Sequence, residues 1–470
     1  MRTVLFSLSI ALFIVTCAHA QFYEDVLRLA TQDPGFNARS LGLGMTNTGI
    51  ASDFSAVYSN PAGLGQIKRN EVSLGFSFFS YSNDASFWGS STSFANNTTD
   101  LNTLGFVYSF PASQRSIVLA AGVGRTPMFT AGRSFKGFNP SSSMVHSIDQ
   151  NLAYGLHLID SVNQSPIQDS VLQRGHVLED GVLNNWLLSG SMEVTENLYL
   201  GASLNFISGS YTRTKDFSEY DVYNIYDTSR YSVKYALDHW NFYQQTDISI
   251  KGFTAYLGLL YKFNAHTRVG FTIKLPTHHT IEADSTIGGM SVFDTKDNQT
   301  QTNTYSKNFP HKTTTYGVTT PFTLGGGFSI GGDEIMFAGD VQYTDWTELQ
   351  FTDMQDYPML ENYNTYFTEK LTSVFNVHAG VEVHMPKTTL HLRGGFAYLP
   401  SPKKGDPPKN DQKFITGGLG ILIAKTVMID LGFSYGFWEI SHFNYGNNPH
   451  SETTEKISTS TLMTTISYRL

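Results

Sequence analysis

The chain has 470 residues, of which 15% are charged and 14% aromatic, with 41 glycines, against roughly 25% charged in an ordinary soluble domain. A formal charge of −9 removes the basic balance on which nucleic-acid binding rests. The one cysteine, Cys17, falls within the first twenty residues, so the remainder offers no disulfide framework, thiolate metal site or cysteine nucleophile.

Those first twenty residues, "MRTVLFSLSIALFIVTCAHA", carry one basic residue (Arg2), an apolar core from Val4 to Val15, and Ala18-His19-Ala20 before Gln21. That order predicts a secretory signal peptide over 1–20, too short and wrongly flanked to span a membrane. A lipid-anchored cysteine is the alternative, and Thr16 argues against it, because the residue before such a cysteine is normally small. Beyond the signal no uninterrupted apolar stretch of about 18 residues exists. The nearest, "TGGLGILIAKTVMIDLGF", is broken by Lys425 and Asp430. Helical membrane spans are thereby excluded, and an aromatic-rich, charge-poor, exported chain points to a β-barrel of an outer membrane.

Next comes a glycine-punctuated segment, "RSLGLGMTNTGIASDFSAVYSNPAGLGQ". Asn60-Pro61-Ala62 is a turn signal, and its place between the signal and the first strand predicts that residues 21–70 fold inside a barrel formed by 71–470. Apolar alternation over about ten residues, the requirement for a transmembrane barrel strand, then recurs fourteen times. The runs are 71–81, 102–110, 116–124, 185–194, 197–207, 248–263 and 268–275 in the first half. The second half gives 322–330, 334–346, 373–383, 389–399, 413–423, 426–438 and 460–470. The count is even, as single-chain bacterial barrels require. Short links such as "PASQR", "TE" and "AK" alternate with long polar stretches at 82–101, 125–184, 208–247, 276–321, 347–372, 400–412 and 439–459. Such alternation is the periplasmic-versus-extracellular asymmetry of these barrels. The fold expected is all-β: a 14-stranded antiparallel transmembrane β-barrel with an N-terminal plug in its lumen.

Alternation also sorts the inward residues. Asp340, His378, Glu382, His391, Arg393, Asp430 and Arg469 face the lumen, with Glu71 at the start of the first run. Charges withdrawn from bulk water need partners, so these predict a salt-bridged lumen that holds the plug rather than a substrate track or catalytic pairs. No Ser/His/Asp ordering specific to an enzyme appears, and no P-loop, dinucleotide fingerprint or zinc motif. No catalytic residue, metal or cofactor is expected. His278-His279 lacks a third ligand at a recognisable spacing and reads as loop histidines. "NNTT" at 96–99 reads as loop chemistry, and 295–308 as a polar loop.

Five stretches together resemble the FadL/TodX family of outer-membrane transporters for hydrophobic compounds. They are "ARSLGLGMTNTGIASDFSAVYSNPAGLGQIKRNEVSLGF", "TTPFTLGGGFSI", "MFAGDVQYTDWTEL", "LRGGFAYLPSP" and "MIDLGFSYGF". The resemblance covers essentially the whole chain after the signal. It implies passive uptake of fatty acids or aromatic hydrocarbons by loop capture, movement of a hatch carrying Asn60, Pro61 and Ala62, and lateral release through the wall. It further implies a bend in the third strand, for which Gly122 and Gly124 are candidates, and a capture site, for which Met128, Phe129, Phe135 and Phe138 are candidates. The partners implied are a hydrophobic small molecule and outer-membrane lipid, with no nucleic acid and a monomeric chain. A PorV-like component of a protein-secretion system is the alternative, since such barrels share an "NPA"-like stretch.

Overall fold

The computed structural model describes residues 26–31, 35–110, 115–126, 129–227, 236–296, 301–354, 358–446 and 448–470. The signal-peptide expectation and Met128 lie outside them. Nineteen strands form within these residues. In chain order they are β1 (Glu71–Phe87), β2 (Ser90–Phe110), β3 (Ile117–Thr126), β4 (Ala131–Asn139), β5 (Val171–Thr195), β6 (Leu198–Tyr220), β7 (Leu237–Lys262), β8 (Arg268–Lys274) and β9 (His278–Phe293). There follow β10 (Thr304–Asn308), β11 (Lys312–Thr319), β12 (Thr323–Gly331), β13 (Ile335–Asp345), β14 (Gln350–Thr352) and β15 (Ser373–His384). The chain finishes with β16 (Leu390–Leu399), β17 (Gln412–Ile423), β18 (Val427–Phe443) and β19 (Glu452–Arg469).

Fourteen of these close a ring of antiparallel neighbours: β1, β2, β3, β5, β6, β7, β8, β12, β13, β15, β16, β17, β18 and β19. The last joins the first in continuous register from Glu71↔Arg469 to Ser86↔Thr454. Closure leaves no sheet edge with unpaired backbone facing hydrocarbon. Each of the fourteen apolar runs falls on one of these strands. Outward residues such as Phe76, Leu104, Phe271, Phe337, Ile415 and Phe433 are exposed, each roughly half so, because they face lipid rather than a protein core. Inward neighbours are small or polar, as along β1, where buried Ser73 and Ser77 alternate with exposed Phe76 and Phe78.

The long polar stretches are not loops throughout. β1 and β2 run on to a hairpin whose only connecting residues are Trp88 and Gly89, so "NNTT" lies within β2 and residues 82–101 are almost wholly strand. β18 and β19 extend likewise into 439–459. Above the bilayer, pairing continues while the outward residues become Ser, Thr and Asn, and the apolar alternation fades from the sequence although the ladder does not stop. On one side of the barrel accessory strands rebuild the wall: β9 pairs the upper part of β7, β11 pairs β9, and β14 pairs β11. His278 and His279 therefore sit on β9, not on a loop, and β10 places 304–308 beside β9.

An apolar cap closes the outer end. Helical turns at Met144–Ser147 and Gln150–Gly155 pack Met144, Leu152 and Leu156 against Phe87, Phe217, Trp240 and Tyr445. Glu219 fastens them. Its buried carboxylate accepts from Ser143 Oγ (2.6 Å), the Met144 backbone N–H (2.7 Å), Gln173 Nε2 (2.7 Å) and Trp240 Nε1 (2.8 Å). Four donors on three segments draw the cap onto the strand ends.

Candidate functional site

The segment before β1 is a set of short turns packed against the inward faces of the barrel strands. Asn37 caps the helix Ala38–Gly42, Asp53 caps the turn Phe54–Val57, and Asn60 caps the turn Pro61–Gln66 with Pro61 at its first position. Asx side chains at these positions satisfy backbone N–H groups that a short helix leaves free. Residues from Ala38 to Leu64 are for the most part buried.

Asn60 shows how the turn is held. Its Oδ1 accepts from the Ala62 N–H at 3.2 Å, while Nδ2 donates to the Thr48 carbonyl at 2.8 Å and to the Leu259 carbonyl of β7 at 3.2 Å. Ser191 Oγ of β5 donates to the Ala62 carbonyl at 3.1 Å. The wall beneath lacks side chains: a Cβ on Gly201 would strike Pro61, one on Gly258 would strike Asn60, and one on Gly270 would strike the Thr48 carbonyl. Backbone rests on backbone there, which only glycine permits.

Two aromatic residues of the segment decide the roles of Gly122 and Gly124. Both are inward positions of β3, and a Cβ at either would collide with Phe54 or Phe36 respectively. β3 stays in regular register with β2 and β5 through both of them. They make room for the segment's rings. The chain leaves the wall after Thr126. β2 pairs β3 only from Thr103 to Phe110, and β5 pairs β3 only from Leu183 to Met192. Where the chain resumes, β4 pairs the upper part of β5 instead. It lies behind the β1–β2 hairpin, with Asn83 Nδ2 donating to the Gly132 carbonyl at 3.1 Å and Thr92 Oγ1 to the Ser134 carbonyl at 2.5 Å. Among the described residues, the β2 edge above Thr103 and the β5 backbone at 180–182 have no ladder partner on the sides that face each other. Among the described residues this leaves a seam in the ladder, level with Leu101, the uppermost large exposed apolar residue of β2.

The inward charges do form a network, and it reaches the segment. Glu382 on β15 takes a two-point contact from Arg39 (Nε at 3.1 Å, Nη2 at 3.0 Å) and a third from Arg393 Nε at 2.6 Å. Arg393 Nη1 donates to Asp430 at 2.6 Å. Asp340 receives the Asn47 and Thr48 N–H groups at 2.5 and 2.8 Å, and His378 Nδ1 bonds the Gly44 carbonyl at 3.0 Å. Glu71 accepts from the Phe54 N–H at 3.1 Å and from Arg469 Nε at 2.9 Å. His391 stands apart, stacked on His384 with ring centroids 4.7 Å apart. Arg39 is the member that sequence patterning missed, because it sits in a turn-rich stretch without periodicity.

A second charged layer lies higher. Glu179 on β5 pairs with Arg28 and, at 3.3 Å, with Arg213. Glu455 pairs with Arg133 at 3.6 Å and His442 at 2.7 Å. Between the two layers is a cavity of about 560 Å³, bordered below by Met45, Thr48 and Tyr58 of the segment. Thr130 to Arg133, next to the seam, form part of its side. Of the candidate capture residues, Phe129 is fully buried and stacked on Tyr211 at 4.0 Å, with Arg28 over its ring at 5.8 Å. Phe135 packs in the cap against Phe87 and Phe217, and Phe138 meets Tyr223 edge-on at 5.1 Å. Phe135 and Phe129 belong to separate apolar clusters, and Phe138 to neither of them. No group of three metal-ligating side chains occurs among the described residues.

Over residues 30–469 the chain matches the family described as outer membrane protein transport protein (OMPP1/FadL/TodX). Solved structures share its fold. The toluene transporter TodX of P. putida superposes with a TM-score of 0.57 at 14% identity, covering 93% of this chain and 99% of that one. A FadL homologue of Pseudomonas aeruginosa gives 0.57 at 12% with the same coverage. The toluene transporter TbuX of Ralstonia pickettii gives 0.53 at 16%, again covering 93% and 99%. No curated protein matches by sequence.

Proposed function

The chain belongs to the FadL/TodX family of outer-membrane transport proteins, and from that premise we propose that it is a passive importer in which residues 36–67 are the hatch, the cavity is the holding site and the seam beside β3 is the exit. Hydrophobic compounds are the cargo class of the family; fatty acids and aromatic hydrocarbons are the candidates within it. An apolar solute crosses a polar outer leaflet surface poorly, yet gains about 0.8 kcal/mol for each CH₂ it buries in hydrocarbon. Lateral release into the bilayer therefore needs no energy source beyond the gradient.

The observation that carries this reading is the arrangement along the barrel axis: a buried segment, a cavity resting on it, and a break in the wall beside that cavity. The hatch is held by hydrogen bonds and ion pairs to the wall rather than by a continuous ladder, so it can shift without opening the barrel. Cys17 is the only cysteine in the sequence, which makes a covalent lock clean. The Ala38 N–H donates to Thr465 Oγ1 at 3.0 Å, so Ala38→Cys with Thr465→Cys places two thiols at the hatch–wall contact. In phosphatidylcholine proteoliposomes, uptake of palmitate and toluene is expected to stop on oxidation and to return on reduction. Flux equal to protein-free vesicles in the reduced state overturns the importer reading; undiminished flux in the oxidised state overturns the moving hatch.

A further inference from the structure

The cavity has two unlike walls. One, from β16 to β19, carries large apolar side chains, Leu399, Phe414, Trp438, Ile440, Ile457 and Met463, with Gln412, Thr459 and Thr461 between them and Ser441, His442 and Glu455 higher up. Beside it, with β15 paired directly to β16, β8, β12, β13 and β15 contribute Thr272, Lys274, Thr323, Gln342, Thr344 and Asn376, with Val374 and Trp346 as the apolar exceptions. Register makes this polar wall continuous, because Lys274 lies beside Thr323, Thr323 beside Thr344, and Gln342 beside Asn376.

Lys274 differs from the arginines of the cavity. Arg28 and Arg213 are held by Glu179, and Arg133 by Glu455. Against Lys274 no carboxylate stands among the described residues, and it has no hydrogen bond there. Buried His279 lies near it and adds no negative charge. A long ammonium side chain turned into an enclosed space without a counter-ion is costly unless a ligand supplies one.

We infer that the cavity is built for a facially amphipathic carboxylate: a rigid apolar body with hydrogen-bonding groups along one flank and a single carboxylate that Lys274 receives. The inference rests on the importer reading and narrows its cargo. A volume of about 560 Å³ lies in the ~300–1,000 Å³ range of pockets that enclose drug-sized molecules, well beyond one aromatic ring. A plain alkyl chain would leave the amides of Gln342 and Asn376 and the threonine hydroxyls facing hydrocarbon, whereas a hydroxylated flank meets them. The apolar flank of the same molecule lies on Phe414 and Trp438.

Cholate is a suitable probe, below its micellar concentration, with the full barrel in nanodiscs and binding read by equilibrium dialysis. Two comparators separate the two features: cholate methyl ester lacks the charge, and 5β-cholanic acid lacks the hydroxyls. Cholate is expected to bind at least tenfold more tightly than either, about 1.4 kcal/mol. In Lys274→Met the cholate-to-ester ratio is expected to fall to near one, while Lys274→Arg keeps it, and the ratio is insensitive to partial loss of folded protein. Equal binding of cholate and 5β-cholanic acid, or a ratio untouched by Lys274→Met, overturns the inference. Neither result touches the importer reading, which the palmitate and toluene flux decides separately.

Discussion

Arg393 is the side chain on which the lower charge network turns, because it neutralises two carboxylates at once. Its guanidinium spans Glu382 and Asp430 with contacts of 2.6 Å to each, and its side chain is fully buried. Of the carboxylates Arg39 bonds Glu382 alone, its other side-chain partner being Ser52 Oγ at 3.3 Å. Removing one partner of a buried ion pair typically costs about 3–5 kcal/mol, since it strands a charge. Arg393→Met strands Asp430 and leaves Glu382 to Arg39 alone, whereas Arg39→Met leaves both carboxylates bound by Arg393. The order of destabilisation expected is therefore Arg393→Met well above Arg39→Met, read as the shift in denaturant midpoint of the barrel in detergent. Equal shifts would show that Glu382 depends on Arg39 as much as on Arg393. At Asn60, replacement by Ala deletes the cap and leaves the Thr48 carbonyl without its donor. A lost cap costs about 0.5–2 kcal/mol and each unmet buried group about 1–3 kcal/mol. Those costs fall on the segment, so hydrogen exchange should rise across 36–67 while β6 and β7 stay protected.

At the scale of elements, the fourteen membrane strands were legible because lipid demands an apolar residue at every second position, and that demand writes itself into Phe76, Phe78, Leu104, Phe106 and their counterparts. The extensions above the bilayer were not, because β4, β9 and the upper halves of β1 and β2 answer only to hydrogen bonding. Glu179 and Arg133 lie on such stretches, and the upper charged layer went unread with them. Asn60-Pro61-Ala62 was legible as a turn and from its position before the first strand. The fit of Gly122 and Gly124 to Phe54 and Phe36 was not, since it depends on residues about seventy and about ninety positions apart. Glycines in a barrel wall thus divide by face, and β12 offers adjacent examples. Gly326 points outward, and a Cβ there meets only Phe271 at 3.8 Å. Gly327 points inward, where a Cβ would press on Asp340 and on Thr48 at 2.7 Å. Gly327→Ala is expected to loosen the segment and expose 36–67 to limited proteolysis; Gly326→Ala is expected to leave the digestion pattern unchanged.

For the whole molecule, barrel and segment are stabilised by separable means. Fourteen strands close through backbone ladders that do not pass through residues 36–67, including the sixteen register pairs between β1 and β19. The segment adds side-chain contacts to inward faces but no strand. Deleting 36–66 therefore leaves the outward apolar face and the ladder intact, at the cost of an unbonded Asp340 carboxylate and of Glu382 and Glu71 carboxylates left to Arg393 and Arg469 alone. These would then face water rather than protein, and a solvated carboxylate no longer needs its ion pair. The deleted chain should insert as a folded barrel with an unchanged far-ultraviolet circular dichroism spectrum. Its lumen should also conduct, because barrels with more than about eight strands are too wide for wall side chains to fill. Planar bilayers carrying the intact chain are expected to show little ion current, and the deletion a stable conductance favouring cations, since the freed residues are mostly acidic. A folded deletion barrel that remains closed to ions would place the barrier in the outer cap fastened by Glu219 rather than in the segment.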